Sequence, residues 1–160
     1  MRYDDFETLI IQGKRDELHS KFNDRNINMR ASNGSTLLHT AVMADKPEIV
    51  TVLIDRGIET NAQDDVGKTP LHRALELERD NIAELLITHG ASTTVEDNYG
   101  GQPLLDAVRN AGGDYELVEL LLERGADPHH QNDYRVSPLS MARTTGDTTL
   151  IELLKSYADD

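Results

Sequence analysis

The stretch KTPLHRALELERDNIAELLITHGA, residues 68 to 91, contains two short apolar stripes separated by charged and polar residues. Three apolar residues of the first stripe share one helix face at the spacing i, i+3 and i+4: Leu71, Ala74 and Leu75. Thr69 is placed to cap this helix, and Pro70 follows where a missing N–H costs nothing. Each stripe covers only about two helical turns, too few for a stable isolated helix in water. The stretch therefore predicts a helix pair that needs neighbours to bury its apolar surface.

The second stripe predicts a second helix of the same kind. Asp80 is placed to cap it, and three apolar residues repeat the spacing of the first helix: Ile82, Leu85 and Leu86. Gly90 follows as a C-terminal stop, because glycine readily adopts the left-handed conformation that ends many helices. One turn and two helices therefore form the predicted unit.

This unit recurs along the chain. Four pairs of identical residues lie 33 positions apart: Thr36 and Thr69, Leu38 and Leu71, His39 and His72, Gly57 and Gly90. The aligned segments NGSTLLHTA, VGKTPLHRA, YGGQPLLDA and YRVSPLSMA begin at residues 33, 66, 99 and 134. The last spacing grows to 35, which indicates an insertion near Gly112-Gly113. A fixed period of this length is typical of a repeat architecture.

The pattern resembles the ankyrin repeat family, whose unit of 33 residues is a turn followed by two antiparallel helices. The resemblance covers residues 31 to 157, and a degenerate unit at 4 to 30 precedes it. It implies an all-α fold, an ankyrin repeat solenoid of stacked helix-turn-helix units joined by β-hairpin-like turns. The implied organisation is a single domain over residues 1 to 160, with a degenerate N-terminal cap and repeats at 31–63, 64–96, 97–131 and 132–160.

Both ends of the chain have the polar, atypical character that capping units require. The first unit combines charged residues with five apolar residues that can form two short helices: Phe6, Leu9, Ile10, Leu18 and Phe22. The last helix is polar, and no glycine stop follows it, so the last repeat is expected to act as the C-terminal cap. We expect a complete, monomeric protein.

The Thr-Pro-Leu-His motif is kept by Thr69 with His72, and by Thr36 with His39 except that leucine replaces the proline. The resemblance implies that these side chains bond to the backbone within and between repeats. A catalytic role would need a third orienting group and a pocket, and the sequence indicates neither. Four residues depart from the motif: Gln102, Leu105, Ser137 and Ser140. We expect weaker hydrogen bonding between repeats there.

The composition gives no support for catalysis. The chain lacks cysteine, which excludes a disulfide framework, a zinc ribbon and a thiol nucleophile. His129 and His130 are adjacent in a turn, where neighbouring side chains usually point apart, so we expect no metal site. Asp64 and Asp65 also lie in a turn, and solvation explains them better than acid–base work. We predict that the protein is not an enzyme and has no catalytic residues, cofactor or metal.

The charge of the chain is strongly negative and unevenly distributed. The net charge is −13, and residues 64 to 96 contribute −4 while residues 97 to 131 contribute −5. Such a field repels phosphate backbones and anionic membranes and speeds encounter with a basic partner. Residues 1 to 20 carry early acidic residues and no long apolar run, so we do not expect them to act as a secretory signal. We therefore expect a cytoplasmic protein that binds neither nucleic acid nor membrane.

The resemblance implies a concave binding surface made of the turn tips and the exposed sides of the first helices. Carried over by position, the tip residues are Ser32, Asn33, Ser35, Asp65, Val66, Lys68, Asn98, Tyr99, Gly101, Asp133, Tyr134 and Val136. The first-helix positions are Met43, Glu76, Arg109 and Thr144. Tyr99, Tyr134, Arg109, Met43 and Val66 are the leading candidates, because aromatic residues and arginine are enriched among binding hot spots. The alternative for the two tyrosines is packing on adjacent turns.

Arg135 is unusual among the turn residues. It occupies the place of Gly34, Gly67 and Gly100, where a positive φ is expected. The last turn should therefore be either reshaped or strained.

The resemblance implies a non-catalytic protein–protein interaction module, and the acidic middle repeats favour a partner that is basic or of mixed charge. One alternative is a stand-alone inhibitor or immunity-type protein that neutralises a cationic toxin or nuclease. Another is a scaffold or adaptor that bridges two proteins, with Glu116, Glu119 and Glu123 as a second acidic contact.

Overall fold

In a computed structural model that describes residues 2 to 23 and 26 to 158, the chain forms helix pairs joined by turns. Within those residues the only β-type pairing is one isolated antiparallel bridge between Arg30 and Thr36. The chain divides into two compact units, Met1–Ala91 and Ser92–Asp160. No helix of the described chain is both long and apolar enough to cross a membrane.

The first unit contains three helix pairs. Its helices are α1 (Tyr3–Ile11), α2 (Arg15–Lys21), α3 (Leu37–Met43), α4 (Pro47–Asp55), α5 (Pro70–Glu76) and α6 (Asp80–Thr88). The first helices of the pairs, α1, α3 and α5, pack in a row, and so do the second helices, α2, α4 and α6. No helix here exceeds nine residues, so each depends on this packing for its stability.

The core of the first unit is aliphatic except at its N-terminal end. There the rings of Phe6 and Phe22 stack with centroids 5.2 Å apart. All five apolar residues expected in the capping unit are buried: Phe6, Leu9, Ile10, Leu18 and Phe22. Burial of one such side chain contributes about 1.5–3 kcal/mol. The polar N-terminal unit is therefore held to the next helix pair by its apolar face.

The second unit contains two helix pairs. Its helices are α7 (Pro103–Asn110), α8 (Glu116–Glu123), α9 (Pro138–Thr145) and α10 (Thr148–Ser156). The helix α7 packs on both α8 and α9, and α9 packs on α10. Gly112 and Gly113 lie between α7 and α8, where the change of repeat spacing places the insertion.

The start of α5 shows how the repeat begins its first helix. Thr69 is the N-cap, and its hydroxyl accepts a hydrogen bond from the His72 amide at 3.4 Å. The Thr69 amide in turn donates to His72 Nδ1 at 3.2 Å, and Pro70 occupies the first helical position. The prediction of a Thr69 cap followed by a tolerated proline is therefore confirmed.

The start of α6 differs from the prediction. Asp80 is the first helical residue, and Arg79 takes the cap position without a side-chain hydrogen bond. Glu78 has a φ of 54°, which turns the chain sharply enough that the Arg79 carbonyl becomes the first acceptor of the helix. The expected Asp80 cap was wrong by one residue. Its carboxylate still lies in the first turn, where the helix dipole favours negative charge.

Candidate functional site

The four turn tips share one backbone geometry. They comprise residues 31–35, 64–68, 97–101 and 132–136, called the first to fourth tips. In the second tip the Asp64 amide donates to the Lys68 carbonyl at 3.0 Å, and the Gly67 amide donates to the Asp64 carbonyl at 2.9 Å. The same two bonds close the other three tips. The backbone therefore holds corresponding residues of all four tips in the same position of the turn.

Neighbouring tips are joined by one further backbone bond in each unit. In the first unit the Asp65 amide donates to the Asn33 carbonyl at 3.1 Å. In the second unit the Asp133 amide donates to the Tyr99 carbonyl at 2.9 Å. These bonds fix the register of the first tip with the second and of the third tip with the fourth.

Side-chain acceptors reinforce three of the four tips. Asp64 Oδ1 accepts the amides of Val66 and Lys68 at 3.1 and 3.0 Å. Asp97 in the third tip and Asn132 in the fourth accept the corresponding amides. Ala31 stands at this position in the first tip and has no such acceptor. In the first tip the Asn33 side chain accepts the Ser35 amide instead, and among the described residues the Asn33 amide has no such side-chain acceptor.

Arg135 keeps the glycine conformation of the other tips. Its φ is 60°, and its amide donates to the Asn132 carbonyl at 2.8 Å, as the equivalent glycine amides do in their tips. Of the two outcomes expected at Arg135, the structure has a strained residue in an unchanged turn. The positive φ is unfavourable for an arginine because its Cβ approaches the backbone.

Most of the residues predicted for the binding surface are exposed. Twelve of them face solvent: Ser32, Asn33, Met43, Asp65, Val66, Glu76, Asn98, Tyr99, Arg109, Asp133, Tyr134 and Thr144. Ser35 is buried, and its amide is bonded to the Asn33 side chain at 3.1 Å. The Lys68 side chain is only 13% exposed. Ser35 therefore shapes its turn and offers no surface to a partner.

Lys68 belongs to a charge network in the first unit, formed by Asp64, Lys68, Arg73 and Glu76. Arg73 Nη2 lies 2.6 Å and Nε 3.0 Å from Asp64 Oδ2, and Arg73 Nη1 lies 2.9 Å from Glu76 Oε2. Lys68 Nζ lies 3.1 Å from Glu76 Oε1. The predicted surface residues Lys68 and Glu76 are thus paired within the protein.

The centre of this charge network is a buried carboxylate. The Asp64 side chain is only 3% exposed. Burial by itself would raise the pKa of Asp64, but the hydrogen bonds from Arg73 and from the tip amides hold it below its ordinary value. The expectation that solvation explains Asp64 is therefore wrong, because the carboxylate joins the second tip to α5. Asp65, its neighbour, is exposed as expected.

The histidine of the first tip-helix motif has a structural role. His39 Nδ1 accepts the Thr36 amide at 3.1 Å, and Nε2 lies 2.9 Å from the Lys68 carbonyl. This pattern assigns the neutral ring with its proton on Nε2. Burial is the main cause that lowers the pKa of His39. The predicted bonding within and between repeats is confirmed for this histidine.

The corresponding places in the second unit are different. Leu105 stands where the first unit has His39 and His72, and Asp106 stands at the position of Arg73. The Asp106 side chain is buried and accepts from Arg109 Nη1 at 2.6 Å. Arg109 is half-exposed, but its guanidinium is already paired. This intramolecular bond must compete with any contact that Arg109 makes to a partner.

The fourth repeat keeps its helix cap with serines. The Ser137 hydroxyl accepts the Ser140 amide at 3.1 Å, and the Ser137 amide donates to Ser140 Oγ at 2.8 Å. A serine at position 140 thus replaces the histidine in the local bond. Its short side chain also donates to the Ser137 carbonyl at 2.9 Å, so this hydroxyl serves its own turn.

Two exposed tyrosines, named here the tyrosine pair, lie on neighbouring tips of the second unit. Tyr99 in the third tip is 51% exposed, and Tyr134 in the fourth is 69% exposed. Their ring centroids are 6.2 Å apart and their planes are tilted by 30°. The rings therefore pack on each other, as the alternative interpretation held, yet more than half of each side chain faces solvent.

His130, in the turn after α8, contacts the backbone of the third tip. Its Nε2 lies 2.9 Å from the Gly100 carbonyl and 3.3 Å from Glu96 Oε1. His129 is exposed, so the two histidines have different environments. The described residues contain no group of three or more histidine, cysteine or carboxylate side chains placed to hold a metal ion.

Two exposed apolar residues in the first unit were not predicted from the sequence. Ile11 is the last residue of α1, and Leu77 directly follows α5; together with Met43 at the end of α3 they are exposed. All three lie at the C-terminal ends of helices that pack in one row. The sequence signal for Leu77 was its place among the charged residues 76 to 80. Helical periodicity alone does not identify a residue of this kind.

The geometry defines the class of protein as a helical repeat protein built from turn-helix-helix units. The family model of ankyrin repeats, which comprises three copies, matches residues 6–97 and 38–133. The chain belongs to the ankyrin repeat family, and the predicted all-α ankyrin fold is confirmed. No curated protein matches the sequence closely enough to count as a relative. Ankyrin repeats are in general protein–protein interaction modules without catalytic activity.

Proposed function

We propose that this ankyrin repeat protein binds a basic protein partner through its turn tips and the exposed sides of its first helices. The observation that carries the proposal is the exposed tyrosine pair on the third and fourth tips. Each ring exposes apolar area whose burial against a partner is favourable. A tyrosine side chain has few rotatable bonds, so it loses little conformational entropy on binding. A fixed backbone holds both rings, which reduces the entropic cost of binding.

The charge of the second unit supports a basic partner. Residues 92 to 160 contain thirteen acidic and five basic residues. An excess of this kind accelerates encounter with a positively charged surface and disfavours nucleic acid, because it repels phosphates. We therefore expect association to slow as the salt concentration rises. A cytoplasmic location and a monomeric state remain predictions. Light scattering would measure the molar mass in solution and so test the monomeric state.

An adaptor role is the second candidate, and a separate observation favours it. The exposed residues Ile11, Met43 and Leu77 lie at the C-terminal ends of three packed helices of the first unit, and they differ in chemistry from the tyrosine pair. A protein with two such surfaces can bind two partners. The exposed acidic residues Glu116, Glu119 and Glu123 on α8 offer a further contact. An inhibitor of a cationic toxin or nuclease would instead use one acidic surface and one partner.

Affinity purification from the native host tests the proposal. The wild-type chain, the variant Tyr99→Ala with Tyr134→Ala, and the control Glu84→Ala on the exposed face of α6 are compared at equal expression. We expect one or more partners to be recovered with wild type and control and lost with the tyrosine variant. Circular dichroism and urea unfolding verify that all three fold alike. Equal recovery by the folded tyrosine variant would show that the tyrosine pair is not the site.

The same experiment separates the candidate functions. Under the adaptor hypothesis, Met43→Glu with Leu77→Glu releases one partner while the tyrosine variant releases another. Under the inhibitor hypothesis a single partner is recovered, and the purified chain suppresses its activity in a stoichiometric manner.

A further inference from the structure

We propose that the tyrosine pair, together with Asp133, is a receptor for one arginine side chain of the partner. This inference rests on the proposed function, because it names the chemical group that the same site recognises. It concerns residues 97 to 101 and 132 to 136 of the second unit, where a backbone hydrogen bond joins the third and fourth tips.

The rings supply the first half of the receptor. Their centroids lie 6.2 Å apart with the planes tilted by 30°, and both residues are exposed, so part of each ring is accessible from outside. An aromatic face carries negative electrostatic potential, and a cation within about 6 Å of the ring centroid is attracted to it. Neither phenol hydroxyl has a hydrogen-bond partner among residues 2–23 and 26–158, so both can also accept a donor from the incoming group.

Asp133 supplies the second half. It precedes Tyr134 in the chain, and its amide donates to the carbonyl of Tyr99, so its backbone links the two residues of the tyrosine pair. A methyl group added at Gly100 would lie 3.1 Å from Asp133 Oδ1, which places the carboxylate against the third tip. Within the described chain this carboxylate forms no ion pair. It is exposed and therefore available to a cation from outside.

A carboxylate on the residue before Tyr134, on tips that also carry two exposed rings, favours guanidinium over ammonium. Arginine presents a planar group that can stack on a ring while two of its N–H groups donate in parallel to one carboxylate. A lysine ammonium is a compact, strongly hydrated charge that cannot make both contacts with the same geometry. The combination of aromatic rings and a carboxylate thus matches the chemistry of arginine better than that of lysine.

The neighbouring charges refine this assignment. Asp97 accepts two amides of its own tip, and Glu96, just before that tip, lies 3.3 Å from His130, so both carboxylates already have partners within the chain. Arg135 directly follows Tyr134 and is the one cation of the fourth tip. Its positive charge repels the incoming guanidinium, so replacement of Arg135 by a neutral residue should strengthen the binding of arginine. That opposite effect gives the test a variant expected to gain affinity.

Nuclear magnetic resonance of the ¹⁵N-labelled full chain tests the receptor directly. The probes are three blocked tripeptides, Gly-Arg-Gly, Gly-Lys-Gly and Gly-citrulline-Gly, the last being a neutral isostere of the first. We expect saturable shifts of the Tyr99, Gly100, Asp133 and Tyr134 amides with the arginine peptide, with a Kd on the order of millimolar. Citrulline should bind at least about 5-fold more weakly. Equal shifts with citrulline, or shifts confined to other residues, would overturn the receptor.

Variants of the pair separate ring chemistry from apolar area. Tyr99→Phe with Tyr134→Phe keeps both ring faces and should keep the arginine peptide within about 2-fold, whereas Tyr99→Leu with Tyr134→Leu should weaken it by about 5-fold. Asp133→Asn should weaken binding by a similar factor, and Arg135→Gln should strengthen it by about 2-fold. Full affinity of the leucine variant would contradict a role for the rings.

The outcomes also distinguish this inference from the proposed function. If the leucine variant loses the cellular partner while the arginine and citrulline peptides bind alike, the tips bind a protein but the arginine receptor is wrong. If the partner persists with the leucine variant, the site assignment fails first. Saturable shifts of the same amides with a single-stranded oligonucleotide, and none with the arginine peptide, would show base stacking and overturn the inference.

Discussion

The two units use the same turn-helix-helix scaffold with different side-chain chemistry. In the first unit, polar side chains are bonded inside the protein: His39 to the Lys68 carbonyl, and Asp64 to Arg73. In the second unit, Leu105 replaces the histidine, and the tips carry Tyr99 and Tyr134 on the surface. The backbone bonds that close the tips are the same in both.

This difference shows what the repeat requires and what it leaves free. Backbone hydrogen bonds and apolar packing are present in both units, so they suffice to define the helix pair. Side-chain bonds such as those of His39 and Asp64 are additions that stabilise one unit. Where they are absent, the backbone bonds still hold the tips, and the tip positions of Asn33 and Val66 in the first unit carry Tyr99 and Tyr134 in the second. This is possible because each repeat is stabilised by its own packing and by contacts with its immediate neighbours. Four substitutions test this view, from the largest expected effect to the smallest.

Loss of the Asp64 carboxylate should be the most destabilising change. Asp64→Ala removes two tip hydrogen bonds and leaves Arg73, itself only partly exposed, without its main partner. Breaking a buried pair from one side costs about 3 kcal/mol. The matched change Asp97→Ala in the second unit removes two tip bonds alone and should cost about 1 kcal/mol. Urea unfolding with amide hydrogen exchange measures both, and equal losses would contradict the special role of the charge network.

Replacement of His39 by the residue found in the second unit should cost less. His39→Leu leaves the Lys68 carbonyl and the Thr36 amide without their side-chain partner in a buried place, at a cost of about 2 kcal/mol. The measurement is the free energy of unfolding in urea at pH 7.5. A loss below about 0.5 kcal/mol would show that leucine packing compensates fully, and that the two units do not differ in this respect.

The pH dependence supplies a control for His39. Burial lowers the pKa of His39 in the folded protein, so the unfolded chain binds its proton first as the pH falls. The stability contributed by the neutral ring is complete above about pH 6.5 and is lost as the pH falls from there toward the folded pKa. The stability difference between wild type and His39→Leu should therefore shrink between pH 7.5 and 5.5. A constant difference over this range would contradict a buried neutral histidine.

Much of the fold could be predicted because its markers are local. Thr69, Pro70 and Gly90 act through their own backbone positions, and their recurrence at a fixed period identifies the stacked pairs. The helix start at Asp80 was missed because Glu78 adopts a positive φ that its residue type does not suggest. Asp64 was assigned to solvent because its partner Arg73 lies nine residues away on another element, so no local rule joins them.

The candidate site was predictable in its positions but not in its chemistry. Position within the repeat determines which residues face outward, and this places Tyr99 and Tyr134 correctly at the surface. Whether an exposed charge is free depends on contacts that the repeat pattern does not encode, as the Arg109–Asp106 pair shows. Ile11 and Leu77 were missed because they lie at helix ends, where the helical periodicity no longer defines a face.

A gain in stability is expected at the strained residue of the fourth tip. Arg135→Gly relieves a side chain held at a φ of 60°, and glycine costs more chain entropy on folding, so the net gain should be about 0.5–1 kcal/mol. Glu78→Gly in the first unit, at a φ of 54°, is the matched variant and should gain as much. Thermal unfolding measures both. If only Glu78→Gly raised the stability, Arg135 would have contacts that compensate for its strain. Arg135 would then have a structural role in the fourth tip.

The smallest effect is expected where the first tip lacks its side-chain acceptor. Ala31→Asp introduces a carboxylate at the position of Asp64, Asp97 and Asn132, whose oxygens accept two amides of their own tips. The Ala31 backbone already has the bonds of the other tips, so the new side chain meets Asn33 and Ser35 amides in a prepared geometry. Part of the gain is offset because Asn33 already accepts the Ser35 amide, which leaves about 0.5 kcal/mol. If urea unfolding shows this gain, the side-chain bonds are additions to tips that the backbone bonds already define. If Ala31→Asp destabilises the chain while Asp97→Ala leaves its stability unchanged, the tips depend on apolar packing instead. The difference between the two units would then have another cause.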